Sequence, residues 1–546
     1  MGILSSILYA LTRKERIALV LALVLFAVAS VTKAVVVVQE RSIFVPVSGG
    51  MYREGVVGQP QVINPVLSGN QTDQELSALL YGRLGVLADR IEISEDERTY
   101  TITLKQDLVW DDGELLTSDD VVFTVKTIQD PEVRSSLYKN WQGVIVERIS
   151  ALQIKFTLPS PFVFFNDTVA NLSIIPKHVF STIPASNIRL SSYNLEPIGS
   201  GPYSFRSFSK RRDGFITEYR LVANEDYVGD TPYIEEFYFR FYEDDEALMG
   251  AFRTRDIDGF GILSLPNEGI RELPNAQIIQ IPMTRYYAVF FNPKATSMLK
   301  NETFREALSL AIDKDALVND VLRNEGNPID GPFYADIGPV YEGFDPERAA
   351  DLITEAKEDS DTKTLVIKLM MPDVPFIKDV AEFIKNEWKE AGVDEVTTIS
   401  LNNEDFFSVV LRERNYEAVL FGNVLEHNLD LFPFWHSSER FYPGLNLSFY
   451  ADDAVDIALE DIRQNGNVTD RREEFIRAAM RIQKNTPAAF LFSLPYTYVH
   501  GSRLYGVSFD SFITVPSERF RNVTSWYVTR ARVLNNQPIV EPKPSQ

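Results

Sequence analysis

The 546-residue chain contains no cysteine. That removes disulfides, thiolate metal sites, iron–sulfur clusters and thiol nucleophiles together, and leaves no sulfur for a lipid anchor. Histidine is scarce: only His178, His427, His436 and His500 occur, and no pair has the HExxH spacing of a zinc hydrolase. Neither a metal nor a cofactor is expected. Positive charge is also short. Lys and Arg number 54 against 77 Asp and Glu, and the resulting net charge of −23 repels phosphate backbones and argues against a nucleic-acid partner. Neither GxSxG nor a Ser-x-x-Lys motif with its usual companions is found, so the common serine-nucleophile signatures are missing. What remains is ample for folding. With 45% hydrophobic and 12% aromatic residues the chain can bury large cores, and its length predicts three or four compact units at about 150 residues each.

The first long feature is apolar. Residues 17–38 are broken only by Ser30, Thr32 and Lys33, enough chain to cross about 30 Å of hydrocarbon. Arg13, Lys14 and Arg16 precede it, so residues 1–16 are expected in the cytoplasm and everything beyond about residue 40 outside. The expectation is an uncleaved transmembrane anchor over 17–38, because residues 34–38 prolong the apolar run past Lys33. The alternative is a cleaved signal peptide with Ala27-Val28-Ala29 as its small-residue site, leaving the rest secreted or periplasmic.

Beyond the anchor, periodicity changes along the chain. Thr72-Asp73-Gln74-Glu75 has capping-box form ahead of Leu76, Leu79, Leu80, Leu84 and Leu87, which share one helical face. Residues 99–104 alternate as a strand. Asp112-Gly113 makes a turn, and Thr117 can cap a helix that turns Val121, Val122, Val125 and Ile128 inward. Further strands are expected at 152–158 and 215–221, so this half is mixed α+β. Later the pattern becomes βαβαβ: strand 365–371, helix 376–391 ended by Gly392, strand 396–401, helix 404–413, strand 416–421. Such units build a largely parallel sheet and put ligand contacts in the loops at strand carboxyl ends, here starting at Pro372, Asn402 and Gly422. Asp313 and Asp345-Pro346 mark two more helix starts, and 537–546 is a proline-rich extended tail.

Several segments, in order, resemble one family. These are 100–105 with Val109-Trp110-Asp111-Asp112-Gly113 and 116–123; Ile174-Ile175-Pro176-Lys177-His178; Pro197-Ile198-Gly199-Ser200-Gly201-Pro202-Tyr203; Asn224-Glu225-Asp226-Tyr227; Phe291-Asn292; Phe304-Arg305-Glu306-Ala307-Leu308; and Ala311-Ile312-Asp313-Lys314. Together they resemble the extracytoplasmic solute-binding proteins of ABC importers, dipeptide/oligopeptide-binding class (family 5), over nearly all of the chain after about Gly50. Physically the motif residues read as turns, bends and caps. The resemblance implies an α/β (mixed α+β), two-lobed periplasmic-binding-protein-like fold of the peptide-binding type with a hinge between lobes. The first lobe is then discontinuous, 45–285 completed by 496–536, with a subdomain at about 71–197, and the second is 286–495.

The resemblance further implies that a second-lobe carboxylate receives the amino group of an extended peptide. That requirement and the strand-end argument meet at 422–430. Relatives show Gly-Trp, then Asp and Asp-Pro here. This chain has Asn423 in place of the Trp, and either Glu426 or Asp430 must supply the acid, with His427 between them. On the first lobe, Tyr138 and Trp141 can offer amphipathic rings to a ligand or simply pack in the core, and Asn64-Pro65 stands where the family commonly has Asp-Pro. The function implied is capture of an oligopeptide or similar small solute and its delivery to ABC transporter permease subunits, by a membrane-anchored monomer, with no catalytic residues. The alternatives are an exported glycosidase-like hydrolase using paired carboxylates, and an extracellular peptide-binding chaperone or receptor.

Overall fold

The structure, a computed structural model, describes residues 12–40, 42–67, 69–263, 268–333, 343–359, 364–426, 428 and 430–534. The tail expected at 537–546 and His427 lie outside the described residues.

The apolar run forms part of a 28-residue helix, Arg13–Glu40. Thr12 and Glu15 cap its start reciprocally, the Thr12 N–H donating to Glu15 Oε2 at 2.8 Å. Its window Arg13–Lys33 is long and apolar enough to span a bilayer, and none of that window is buried against the rest of the protein. A short ribbon follows, in which Ser42–Pro46 pairs antiparallel with Arg530–Leu534.

The exterior part has two lobes, each built on its own large sheet. In the first lobe seven strands lie in the order Ala276–Ile281, Tyr496–Gly501, Gly259–Ile262, Met51–Val57, Glu236–Tyr242, Ile216–Ala223, Tyr203–Lys210. Beside it sits a four-stranded antiparallel sheet, Ala88–Ile93, Thr99–Leu104, Gln153–Thr157 and Ile145–Ser150. Helix Ser118–Gln129 covers it, with Val121, Val125 and Ile128 buried and the reciprocal Thr117/Asp120 cap at its start. The second lobe has six strands in the order Asn327–Pro328, Ala488–Ser493, Arg285–Phe291, Ala418–Val424, Val366–Pro372, Glu395–Leu401. Its last three form the parallel βαβαβ unit. The chain passes from the first sheet to the second between Ile281 and Arg285 and returns between Ser493 and Tyr496.

Strand Arg285–Phe291 shows why the middle of the second sheet reads as continuous apolar chain. Tyr286, Ala288 and Phe290 enter one core, and Val289 and Phe291 enter the core on the opposite face. Helix Pro375–Glu390 closes the second core with Ile377, Val380, Ala381, Ile384 and Trp388, one stripe at helical spacing. Trp388 Nε1 donates to the Leu308 carbonyl at 2.8 Å, so its one polar atom is satisfied inside the core. Gly392 then ends the helix at φ +109°, a conformation that favours glycine.

Three expectations need correction. The helix Gln71–Leu80 is capped by Asn70, whose Oδ1 accepts from the Asp73 N–H at 2.8 Å; Thr72 lies within the helix, and Glu75 turns into the core. Leu84 and Leu87 belong to a separate turn, Leu84–Leu87. The 199–201 bend presses on the chain between the two, so closely that a Cβ on Gly199 would lie 1.9 Å from the Leu80 carbonyl oxygen. Finally, the third strand of the βαβαβ unit runs to Val424, so Gly422 and Asn423 pair with Tyr287 and Tyr286 inside the sheet. The Tyr287 ring lies over Gly422, where a Cβ would meet it at 2.9 Å, and this cover keeps a glycine in strand.

The family motifs bind these parts to one another. Asp111 accepts from the Gly199 N–H at 2.9 Å and the Ser204 hydroxyl at 2.6 Å, and burial pushes its pKa up to about 6. Asp120 Oδ1 accepts from the Lys177 N–H at 2.9 Å. The buried Arg305 guanidinium donates to the carbonyls of Leu299, Lys300, Asn485 and Thr486 at 2.9–3.1 Å. Each of these residues joins segments distant in sequence, so each is architecture.

Candidate functional site

A cavity of about 640 Å³ lies between the lobes. Its walls on the first-lobe side include helix Gln71–Leu80, the turn at Arg83, Leu137, Asn140 and Trp141, the stretch 167–173, Tyr227, and the segment 514–524; the second lobe contributes Glu426 and Asn428. That size suits a small solute or a short peptide.

Glu426 follows the end of strand Ala418–Val424, where the parallel sheet opens towards the first lobe. Its side chain lines the cavity and is exposed in the open cleft, although the carboxyl group is crowded by the surrounding protein. Burial raises its pKa first, and the nearby Asp430 charge adds to that, while a hydrogen bond from Asn140, the Arg463 charge and a hydrogen bond from Asn428 oppose it. Asn140 belongs to the first lobe, so this carboxylate bridges the cleft.

Asp430 has a different neighbourhood. It is buried and doubly bonded to Arg463, with Nη2 and Nε at 2.6 and 3.0 Å from Oδ2, and its Oδ1 accepts from the Phe432 N–H at 3.1 Å. The Arg463 guanidinium lies 3.7 Å from the centre of the Phe432 ring, and its carbonyl accepts from the Val163 N–H of the first lobe at 2.9 Å. A carboxylate so occupied has its lone pairs filled. Of the two acids, Glu426 is the one at the cavity.

The other predicted residues are dispersed. Asn423 is buried beneath the site, donating to the Tyr286 hydroxyl at 3.0 Å, which also accepts from Trp435 Nε1 at 3.2 Å. Further along the chain Trp435 and His436 are buried too, His436 stacked on Phe432 at 4.0 Å. Trp141 lines the cavity with its ring braced edge-on against Phe156 and Phe165. Tyr138, half-buried, is not among the lining residues. Asn64 is buried and donates to Asn194 Oδ1 at 3.2 Å, leaving the neighbouring Pro65 at the cavity wall. Among the described residues no group of three His, Cys, Asp or Glu side chains could hold a metal ion.

The sequence pattern of the bacterial extracellular solute-binding proteins, family 5 Middle, matches residues 84–439. The chain belongs to this family. Oligopeptide-binding protein AppA of Bacillus subtilis (strain 168) is 23% identical over 529 residues, 89% of this chain and 93% of that protein. The structure of AppA from Bacillus subtilis in complex with a nonapeptide matches with a TM-score of 0.72 at 22% identity, over 89% of this chain and 100% of that one. The ABC transporter substrate binding protein CtaP of Listeria monocytogenes matches with a TM-score of 0.76 at 25% identity, over 88% and 99% of the two chains.

This family 5 solute-binding protein also carries cavity residues that sequence reasoning missed. Arg83 is the clearest. It interrupts the otherwise apolar run of Leu79, Leu80, Leu84 and Leu87, and a charge in such a run is a signal that could have been used. The wall at 514–524 gave no comparable local signal, because it is held from a distance. Arg519, 1% exposed, binds Glu54 and Glu75 at 2.7 and 2.8 Å, and Glu54 also accepts from the Tyr498 hydroxyl at 2.9 Å. Burial raises the Glu54 pKa against the Arg519 charge that lowers it. The network fixes the turn from which Glu518 and Arg521 reach the cavity.

Proposed function

We propose that this solute-binding protein captures short peptides in the interlobe cavity, receives their amino group on Glu426, and hands them chemically unchanged to the permease of an ABC importer. The observation that carries the reading is the position of Glu426. It is an acid in the cavity, partly desolvated and bonded across the cleft by Asn140, while its neighbour Asp430 is committed to Arg463. An ammonium group there gains a charge-assisted hydrogen bond.

The lobes close about the two crossings at 282–284 and 494–495. Thr284 is the fixed point of the first: its hydroxyl and carbonyl bond Leu425, which precedes Glu426, and its N–H bonds the Ile513 carbonyl, which precedes the cavity wall at 514–524. Closure therefore moves the acid and the opposite wall from a common pivot. The protein works as a monomer on the outer face of the membrane, held by helix Arg13–Glu40, whose apolar surface has no protein partner within the spanning window. The relatives described as oligopeptide-binding and as ABC transporter substrate binding support the ligand and the delivery step.

The test is titration of the detergent-solubilised full chain with tripeptide pools while following tryptophan fluorescence, with mass spectrometry of what is released. Retention of intact peptides is the expected result. Cleaved peptides would establish a hydrolase, and binding of unfolded chains in preference to tripeptides would establish a chaperone-like receptor.

A further inference from the structure

The second charged feature of the cavity is cationic. Arg83 and Arg521 both line it, but they differ in what they hold. Arg521 donates to Asp510 at 2.9 Å and to Glu518 at 2.7 Å, so its charge is compensated within the first lobe. Arg83 has no hydrogen bond or ion pair to its guanidinium among the described residues. Burial, and then the like charge of Arg521, pull its pKa below the ordinary guanidinium value, against smaller opposing effects of Tyr227, Glu518 and Asp510. An arginine remains charged regardless, so the site pays a standing desolvation cost that an anion would relieve.

Its surroundings are built to receive one. Tyr227 lines the same region, is close enough for the Arg83 charge to lower its pKa against the larger effect of burial, and among the described residues its hydroxyl has no hydrogen-bond partner. The tyrosine ring folds back over Gly229, where a Cβ would lie 2.5 Å from it. Glu518, an acid of the wall whose charge acts on Arg83, is itself paired with Arg521 and accepts from the Thr514 N–H at 2.6 Å. Asp167 and Asp230 also line the cavity, and among the described residues neither pairs with Arg83.

We infer that Arg83, assisted by the Tyr227 hydroxyl, receives the free carboxylate of the ligand, so that the site selects short zwitterionic peptides with both ends unblocked. The inference rests on the proposed peptide function and extends it from one end of the ligand to the other. The planar fork of arginine matches a carboxylate bidentately, while the tyrosine adds one donor. A ligand whose carboxylate must reach Arg83 while its amine meets Glu426 is confined to the length of one cavity. Long peptides, whose far end extends beyond it, lose that contact.

The experiment compares three tripeptide pools on the full chain in detergent: free at both ends, amidated at the carboxyl end, and acetylated at the amino end. In the native protein, amidation is expected to weaken binding by about 10- to 100-fold, the worth of a charged hydrogen-bonded contact. In Arg83→Gln the free and amidated pools should bind within about threefold of each other, while acetylation still weakens binding as in the native protein. Arg83→Lys, which keeps the charge but not the fork, should restore part of the discrimination. Circular dichroism and urea midpoints check that both variants fold. Equal loss on amidation in the native protein and in Arg83→Gln overturns the inference while leaving the Glu426 reading intact. Indifference of the native protein to amidation does the same. Absence of binding by every pool refutes the peptide reading itself, and this inference falls with it.

Discussion

Replacing Glu426 by Gln keeps the size and most hydrogen-bonding capacity of the side chain and removes only its charge. The structure supplies the magnitude. Truncating one partner of a desolvated charge pair costs about 2–5 kcal/mol. Glu426 is exposed in the open cleft, so solvent screening places the effect at or below the lower end, about 1–2 kcal/mol, or a loss of roughly 5- to 30-fold in Kd. Calorimetric titration should show that loss for peptides with a free amino end and almost none for acetylated ones, which never made the contact. The pH dependence adds a second signature. The ionised acid binds the ammonium, and burial has raised the Glu426 pKa, so affinity should fall on acidification at a pH above the ordinary glutamate value of about 4.3. On the alkaline side it falls as the peptide amine loses its proton near pH 8. The Gln variant should lose the acid limb and keep the rest of the profile. If the variant binds free and acetylated peptides with the same relative affinity as the native protein, the assignment of the amine to Glu426 is refuted.

Other perturbations separate support from contact. Asp430→Asn leaves Arg463 uncompensated over Phe432. It should lower stability by about 1–3 kcal/mol, less than the 3–5 of a fully buried pair because Arg463 keeps a quarter of its side-chain surface exposed, and urea unfolding of the variant measures it. Arg519→Met strands Glu54 and Glu75 in the first-lobe core with no cation; a loss of about 3–5 kcal/mol is expected, read as a lowered denaturation midpoint. Trp388→Phe removes the donor to the Leu308 carbonyl and should cost the second lobe about 1–3 kcal/mol in the same assay, with peptide affinity unchanged in the folded fraction. Lys139 reaches across the cleft to Glu439 at 3.6 Å and to the Pro443 carbonyl at 3.3 Å, but its side chain is about half exposed. Lys139→Met should therefore change Kd by no more than about fivefold, most of it in the dissociation rate measured by stopped flow.

How much of this could be read in the sequence depends on the range of the forces involved. Local signals held where one element satisfies itself. The Thr117 cap, the Asp112-Gly113 turn with Gly113 at φ +87°, and the parallel βαβαβ unit all follow from spacing and backbone preference. They failed where a distant segment decides. Nothing local shows that Glu75 will leave a capping box for Arg519, which lies 444 residues away, or that Gly422 will stay in strand because Tyr287 covers it. The site follows the same division. Spacing could bring the reader to the loop after the third parallel strand, and no further, since Glu426 and Asp430 are equivalent in sequence and become different only when Arg463 arrives from another helix to take one of them. The remaining acid faces water, Asn140 and the cavity. On the proposed reading the two acids divide the work: the Arg463–Asp430 pair holds the loop, and Glu426 faces the cavity where the ligand amine is to reach it. Shortening Arg463 to Met should accordingly loosen amine selectivity without touching any ligand atom, and the acetylated-to-free affinity ratio measures that directly. A ratio unchanged from the native protein would mean that Glu426 is positioned by Asn140 alone.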